Sequence, residues 1–400
     1  MGFEVSINYT NILIFLFGEI IYRDIVTRSI YRMPPSLIPT KPFTLTNYVI
    51  IIVIAAVLIY ILYRMIKKRQ SEKAGSAGVP GTLPYSDKET SEQLAQLNKI
   101  MKSTGTGITN FVPDPTTAYG AVKDYCIKSS FNSAYVGGGG GGYMDQKMVK
   151  YVLSRGCRFV DFEVYMKDDV PIVAYSSAIY DSCYNHFTSL NPALSLSGVF
   201  QTIMTNAFNQ TVPNPSDPLF VQLRIKSYLP EAYSMIAQLV AGVLGDRLYQ
   251  GIVEPTTPIS SIMGKIVLIV DRLSSPGFDN YSTCAPDNMN CTSLKKYTNM
   301  VSGSDTVRIY RANDLMMQMT NPPDPSVYLM RVVMPQSAFF TGMTNSDSLT
   351  LIKNYGAQAV LECFYINDGK LAVYEAMFSQ FKSAFVPISS ALTYVQDQQI

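Results

Sequence analysis

Four hundred residues, 47% of them hydrophobic, suffice for a large buried core, and 32 basic against 30 acidic residues leave a formal charge of +2. So even a balance supplies no electrostatic footprint for nucleic acid, which is excluded as a partner. A single histidine, His186, rules out a histidine pair, a Ser-His-Asp triad and a His-rich metal site, and six cysteines over this length make no disulfide framework.

Residues 1–42 contain the apolar run NILIFLFGEIIYR, which is about 11 residues long and carries Glu19. It is too short to span a bilayer and is expected to pack on a partner or lie in the membrane interface. Residues 43–66 are expected to form one transmembrane helix, because Phe43 to Tyr63 is uncharged and matches the roughly 20 residues that cross a bilayer. The polar sequence before this run is unlike a cleavable signal peptide. Arg64, Lys67, Lys68 and Arg69 crowd its C-terminal edge, whereas Arg23, Arg28, Arg32 and Lys41 before it are dispersed. The positive-inside rule therefore places the larger C-terminal part on the cytosolic side of a single-pass protein. Sequons at Asn8, Asn209, Asn280 and Asn290 occur about as often as chance allows in so Asn- and Thr-rich a chain, and leave that placement unchanged.

Residues 67–117 read as a linker, rich in Gly, Ser and Pro. It is interrupted by TSEQLAQLNKIMKS, where Thr90 and Gln93 resemble a capping box and Leu94, Leu97 and Met101 repeat at helical spacing. That spacing predicts a short helix docked on the domain C-terminal to it. From residue 118 to 400, β-rich runs alternate with helical stretches. Strands are expected at DYCI, RFVDFEVY, PIVAY, PLFVQLRI, KIVLIVD, TVRIY, VYLMRVV and QAVLECFYI, with helices such as YMDQKMVKYVLSRG and LPEAYSMIAQLVAGVLGD between them. Apolar runs that are continuous rather than alternating suit parallel strands buried on both faces. The simplest architecture is α/β, a closed (β/α)8 barrel with its chemistry at the C-terminal strand ends.

Asp161 and Glu163 alternate along one expected strand, so both carboxylates face the same way. The glycines from Gly137 to Gly142 follow a strand as a phosphate loop would, but no Lys-Ser or Lys-Thr follows, and a surface loop is expected. Gly264 and Lys265 likewise lack the rest of a nucleotide motif. Asp168 and Asp169 suit a solvated turn, and His186 a polar loop. Cys284 and Cys291 could bridge a local loop in an oxidising compartment, but two free thiols are expected.

The segments DYCIKSSFNSAY, MVKYVLSRGCRFVDFEVY, PIVAYS, PLFVQLRIKS, LVAGVLGDRL and GKIVLIVDR resemble, in order, the X half of the catalytic barrel of phosphoinositide-specific phospholipase C. LMRVVMP and NYGAQAVLECFYINDGKLAVYEAMFSQFKSAFVPIS are similar to its Y half. The resemblance implies a phospholipase-C-like barrel, and it also shows what has changed. The family's two catalytic histidines fall at Phe131 and at Tyr175 or, with a one-residue shift, Ser176. A phenyl ring transfers no proton, and a phenol titrating near pH 10 is poorly matched to neutral chemistry. The family's calcium ligands fall at Asn132, Asp161, Glu163 and Arg224, the last a cation where an oxygen is needed. Two substrate-contacting lysines match Ile269 and Asp271, while a phosphate-binding arginine is kept as Arg331 beside Val333.

The resemblance thus implies a degenerate barrel with no metal, no cofactor and no catalytic residue, acting as a structural or interaction module. Phosphoinositide headgroup binding through Arg331, or a phosphodiesterase with altered residues, stands as the alternative. A barrel tethered this way is similar to phospholipase-C-like membrane proteins of large double-stranded DNA viruses. That likeness implies a virion membrane or minor capsid component, with the bilayer and capsid or other membrane proteins as partners.

Overall fold

The computed structural model describes residues 91–101, 105–113, 120–137, 142–175, 193–285, 288, 291–318, 329–336 and 344–398. The N-terminal apolar run, the expected span at 43–66, most of the linker, Ser176 and His186 lie outside the described residues. Among the described residues no helix is long and apolar enough to cross a membrane.

Runs such as Ile266–Val270, apolar at every position, are buried on both faces because one face lines a barrel and the other meets a helical layer. The wall has eight parallel strands: β1 (Ser129–Ser130), β2 (Phe159–Lys167), β3 (Leu219–Ile225), β4 (Ile266–Val270), β5 (Met300–Val301), β6 (Val307–Arg311), β7 (Met330–Met334) and β8 (Ala359–Glu362). They follow one another round the ring in chain order, with β8 returning to β1. Between β5 and β6 a single bridge, Ser302 to Val307, is all that completes the circle.

Helices pack outside the wall: α1 (Ser91–Ile100), α2 (Gln146–Ser154), α3 (Leu196–Asn206), α4 (Pro230–Leu239), α5 (Ala312–Gln318), α6 (Ser348–Tyr355), α7 (Gly369–Phe381) and α8 (Ile388–Asp397). Their ends are chemically marked. Asp145 caps α2 by accepting from the Lys147 N–H at 2.7 Å, and Asp368 caps α7 by accepting from Leu371 at 2.9 Å. α1 docks through Leu97 and Ile100, whereas Met101, expected on the buried stripe, is exposed.

Six of the eight expected strands belong to the barrel wall and two do not. DYCI contributes Tyr125–Ile127, which pairs antiparallel with Phe385–Pro387 beside the first wall strand. PIVAY contributes Pro171–Val173 to the strand Val170–Val173, which folds back on β2 through a two-residue turn. Asp168 and Asp169 form that turn at φ of 49° and 59°, a left-handed pair that sets a tight hairpin and leaves both side chains exposed. The unanticipated wall strands are β1 and β5, whose two residues each are too few to show a period.

Cys284 and Cys291 are disulfide-bonded with Cα atoms 5.7 Å apart, which corrects the expectation of two free thiols. The Ser282 carbonyl accepts from Lys295 N and Ser293 Oγ, both at 2.9 Å, so the loop is drawn closed and the two sulfurs meet.

Candidate functional site

Alternation along β2 turns Asp161 and Glu163 into the barrel, and alternation along β3 does the same for Gln222 and Arg224. Parallel register sets Asp161 beside Gln222 and Glu163 beside Arg224. Asn132, just past β1, adopts φ 42°, a left-handed conformation that asparagine tolerates. It is held there because its N–H donates to Asp161 Oδ2 at 3.0 Å.

The Arg224 guanidinium sits at the centre of these groups. Its Nε and Nη2 donate to the two oxygens of Asp161, both at 2.9 Å. Nη1 donates to Glu163 at 2.9 Å, and Nη2 also to Asn132 Oδ1 at 2.5 Å. The face of the guanidinium lies 4.8 Å from the Phe131 ring centroid, a cation–π contact. Burial works against the charge, yet Asp161 and Glu163 outweigh it and hold the guanidinium proton more firmly than usual. The remaining Glu163 oxygen accepts from the Tyr165 hydroxyl at 2.6 Å. Each charge in this fully buried cluster is therefore paired and hydrogen-bonded, the condition under which buried ions are tolerated.

Calcium does not fit this arrangement. A hard dication needs six to eight oxygen ligands, and the carboxylate and amide oxygens that would converge on it already converge on a fixed cation.

Tyr175 ends the hairpin with its ring 4.8 Å from that of Tyr135, which in turn lies 4.9 Å from Tyr365. Gly142 is needed here, since a Cβ at that position would overlap the Tyr135 ring. Burial, and then Glu163, push the Tyr175 phenol up, and burial takes that of Tyr135 to about 12, so neither exchanges protons near neutral pH.

Ile269 and Val333 are fully buried, and Asp271 accepts from Ser302 Oγ at 2.7 Å. Arg331 is not brought to this cluster. It points outward from the second residue of β7 and donates through Nη1 to the Tyr355 carbonyl at 3.0 Å, at the end of α6. Gly356, at φ 57°, leaves room for that guanidinium.

Two cations at the barrel mouth escaped the sequence reading. Lys226 stands two residues past Arg224, and Arg311 four past the inward Val307, so strand parity alone turns both inward. The Arg311 guanidinium carbon is 5.7 Å from the Phe131 centroid, and its Nη1 donates to the Pro335 carbonyl at 2.9 Å. Among the described residues neither Lys226 nor Arg311 is in an ion pair. Burial lowers both, and the Arg224 charge adds to that shift.

Residues 120–271 match the family described as phosphatidylinositol-specific phospholipase C, X domain. No curated protein sequence matches the chain. Among solved structures, PLC21 of L. pealei aligns with a TM-score of 0.50 at 16% identity, over 69% of this chain and 38% of that one. PLC21 of S. officinalis aligns with a TM-score of 0.50 at 15% identity, over 67% of this chain and 37% of the other. The chain thus spans well under half the length of these relatives. The fold is the α/β barrel of phospholipase-C-like phosphodiesterases, with an X-domain match over 120–271.

Proposed function

We propose that the chain is a catalytically inactive phospholipase-C-like barrel, anchored in a membrane through residues 43–66 and serving as a structural or protein-interaction module. A virion membrane or minor capsid component is the specific setting we propose. The observation that carries the inactive reading is Arg224, whose four N–H···O bonds use up Asn132, Asp161 and Glu163. In-line displacement at a phosphodiester needs a base for the nucleophile, an acid for the leaving group, and positive charge free to meet the phosphoryl oxygens. Phe131 transfers no proton, Tyr175 holds its own, and the central cation is already neutralised by carboxylates.

The test is release of inositol phosphates from mixed phosphoinositide vesicles with calcium present. The native chain should stay at the buffer level, and so should Phe131→His combined with Tyr175→His, because proton transfer gains little for a substrate that is neither bound nor polarised. Turnover by the native chain that disappears in a folded Asp161→Asn variant would overturn the reading in favour of an altered phosphodiesterase.

A second reading, headgroup binding without chemistry, is favoured by Lys226 and Arg311, two cations at the mouth that are in no ion pair among the described residues. It predicts that sedimentation with vesicles carrying phosphoinositides exceeds sedimentation with neutral vesicles, and that Lys226→Ala with Arg311→Ala removes the excess. Crosslinking of the intact assembly would then identify the protein partners.

A further inference from the structure

We infer that Asn209 is an N-linked glycosylation site and that the barrel matures in an oxidising, glycosylating compartment. Two independent features point there: a formed disulfide, and a sequon whose three residues are all exposed.

The Cys284–Cys291 bond is the first. A disulfide closing a short surface loop persists where the compartment is oxidising and is reduced in the cytosol. Closing it releases two protons and two electrons, taken up by a disulfide-carrying oxidant of that compartment. Cys126, Cys157 and Cys363 are free thiols, and all three are buried away from such an oxidant.

The second is the Asn209-Gln210-Thr211 sequon. All three residues are exposed, at the tip of the connection from α3 to β3. The N–H of Thr211 donates to Asn209 Oδ1 at 2.9 Å, and the Thr211 hydroxyl donates to the same oxygen. In the folded loop Nδ2, the atom to be glycosylated, donates to the Thr205 carbonyl of α3, so transfer acts on the chain before this turn closes, as it does on a segment modified while it is translocated. In the transfer, Nδ2 attacks the anomeric carbon of a lipid-linked diphospho-oligosaccharide. The new C–N bond replaces the bond to phosphate, the lipid diphosphate leaves with the electron pair, and the transferase base takes the Nδ2 proton.

The flanks of the tip are pinned. Arg158 donates to the Ala207 carbonyl and to Asn214 Oδ1, both at 2.9 Å, and Asn214 Nδ2 donates to Asp217 at 2.9 Å. Arg158 precedes β2, so this loop lies at the N-terminal end of the wall, opposite Arg224. A bulky, solubilising group there disturbs neither the core nor the mouth. Of the other sequons, Asn8 and Asn290 lie outside the described residues, and the Ser282 of the Asn280 sequon is buried.

This assignment rests on residues 43–66 as the segment that carries the barrel across a membrane, and it puts the barrel opposite the cytosolic side. The charge rule opposes it only weakly. Near the span, Arg28, Arg32 and Lys41 precede it, against Lys67, Lys68, Arg69 and Lys73 after it and Arg64 at its edge.

The full chain should be expressed in a eukaryotic cell and its membranes extracted at high pH. We expect a membrane-embedded chain whose gel mobility shifts after peptide N-glycosidase, with Asn209 converted to Asp in the released peptide. Thr211→Ala and Asn209→Gln should each abolish that modification, and Thr211→Ser should keep it. An embedded chain with unmodified Asn209, or a shift lost only in Asn280→Gln, overturns the inference alone. A chain extracted as soluble and unglycosylated overturns the membrane anchor and the inference together.

Discussion

Arg224 is the residue on which the candidate site turns. Removing one partner from a buried ion cluster leaves the others uncompensated, at a cost of about 3–5 kcal/mol, whereas replacing the whole cluster by neutral groups costs far less. Arg224→Ala should therefore lower the urea midpoint sharply, and Arg224→Met combined with Asp161→Asn and Glu163→Gln should recover most of the loss. A single variant as stable as the native chain would mean the cluster does not hold the barrel wall together. Glu362 poses a different residue-scale question. Burial lifts it well above the ordinary 4.5, one oxygen accepts from Ser346 N at 3.2 Å, and the other lacks a hydrogen-bond partner among the described residues. Because its folded pKa is raised, the native state binds the proton more tightly than the unfolded chain. The associated stability is complete below about pH 4.5 and is lost as pH rises toward the folded value. Glu362→Gln should thus gain thermal stability over the native chain between pH 5 and 8 (roughly the range in which the buried acid is disfavoured), with the two converging near pH 4. Melting curves that stay parallel across that range would contradict this.

At the scale of elements, three pieces of chain far apart in sequence are joined by one carboxylate. Glu375 on α7 pairs with Lys128 just before β1 at 3.0 Å and with Arg155 just after α2 at 2.8 Å. Lys128 has no solvent exposure, and its ammonium also donates to the Arg155 carbonyl at 2.7 Å. Burial lowers the Lys128 pKa, and Glu375 acts against that. Glu375→Gln should destabilise by about 3 kcal/mol or more, since it strands a buried cation. Lys128→Met in the same chain should offset part of the loss, a coupling that a double-mutant cycle in urea measures. Strictly additive losses would show that the two groups act independently.

For the whole molecule, the weak seam of the barrel is where β5 meets β6. Every other junction in the wall is a ladder of at least two registered pairs, but this one is the lone Ser302–Val307 bridge. Opening free energies follow the local density of backbone bonds and buried contacts. Amides of Met300 to Val307 should exchange faster than those of β3 and β4, in a peptide-resolved hydrogen-exchange experiment. Equal protection would mean that the ring opens only by global unfolding.

Much of the barrel was legible in the chain. The continuous apolar runs of β2, β3 and β4 require cover on both faces, and the parity of Asp161, Glu163 and Arg224 puts all three inside one barrel. The presence of an arginine among would-be calcium ligands is a matter of residue identity, visible without coordinates. Hydrophobic period is a local signal, and the remaining features depend on distant chain. The segment PIVAY looks like a wall strand, yet the left-handed Asp168–Asp169 turn sends it back antiparallel along β2. A two-residue strand such as β5 has no period at all and exists because β4 offers it a register. Whether Arg331 meets the site or a helix end depended on which face of β7 it occupies, and ring closure turns that face outward to α6. Lys226 and Arg311 lie 85 positions apart in sequence, and ring closure alone puts both at one mouth. Composition and alternation determined what could be buried, and the closed ring decided which buried groups meet, because contact across a barrel follows from strand order and register rather than from neighbours in sequence.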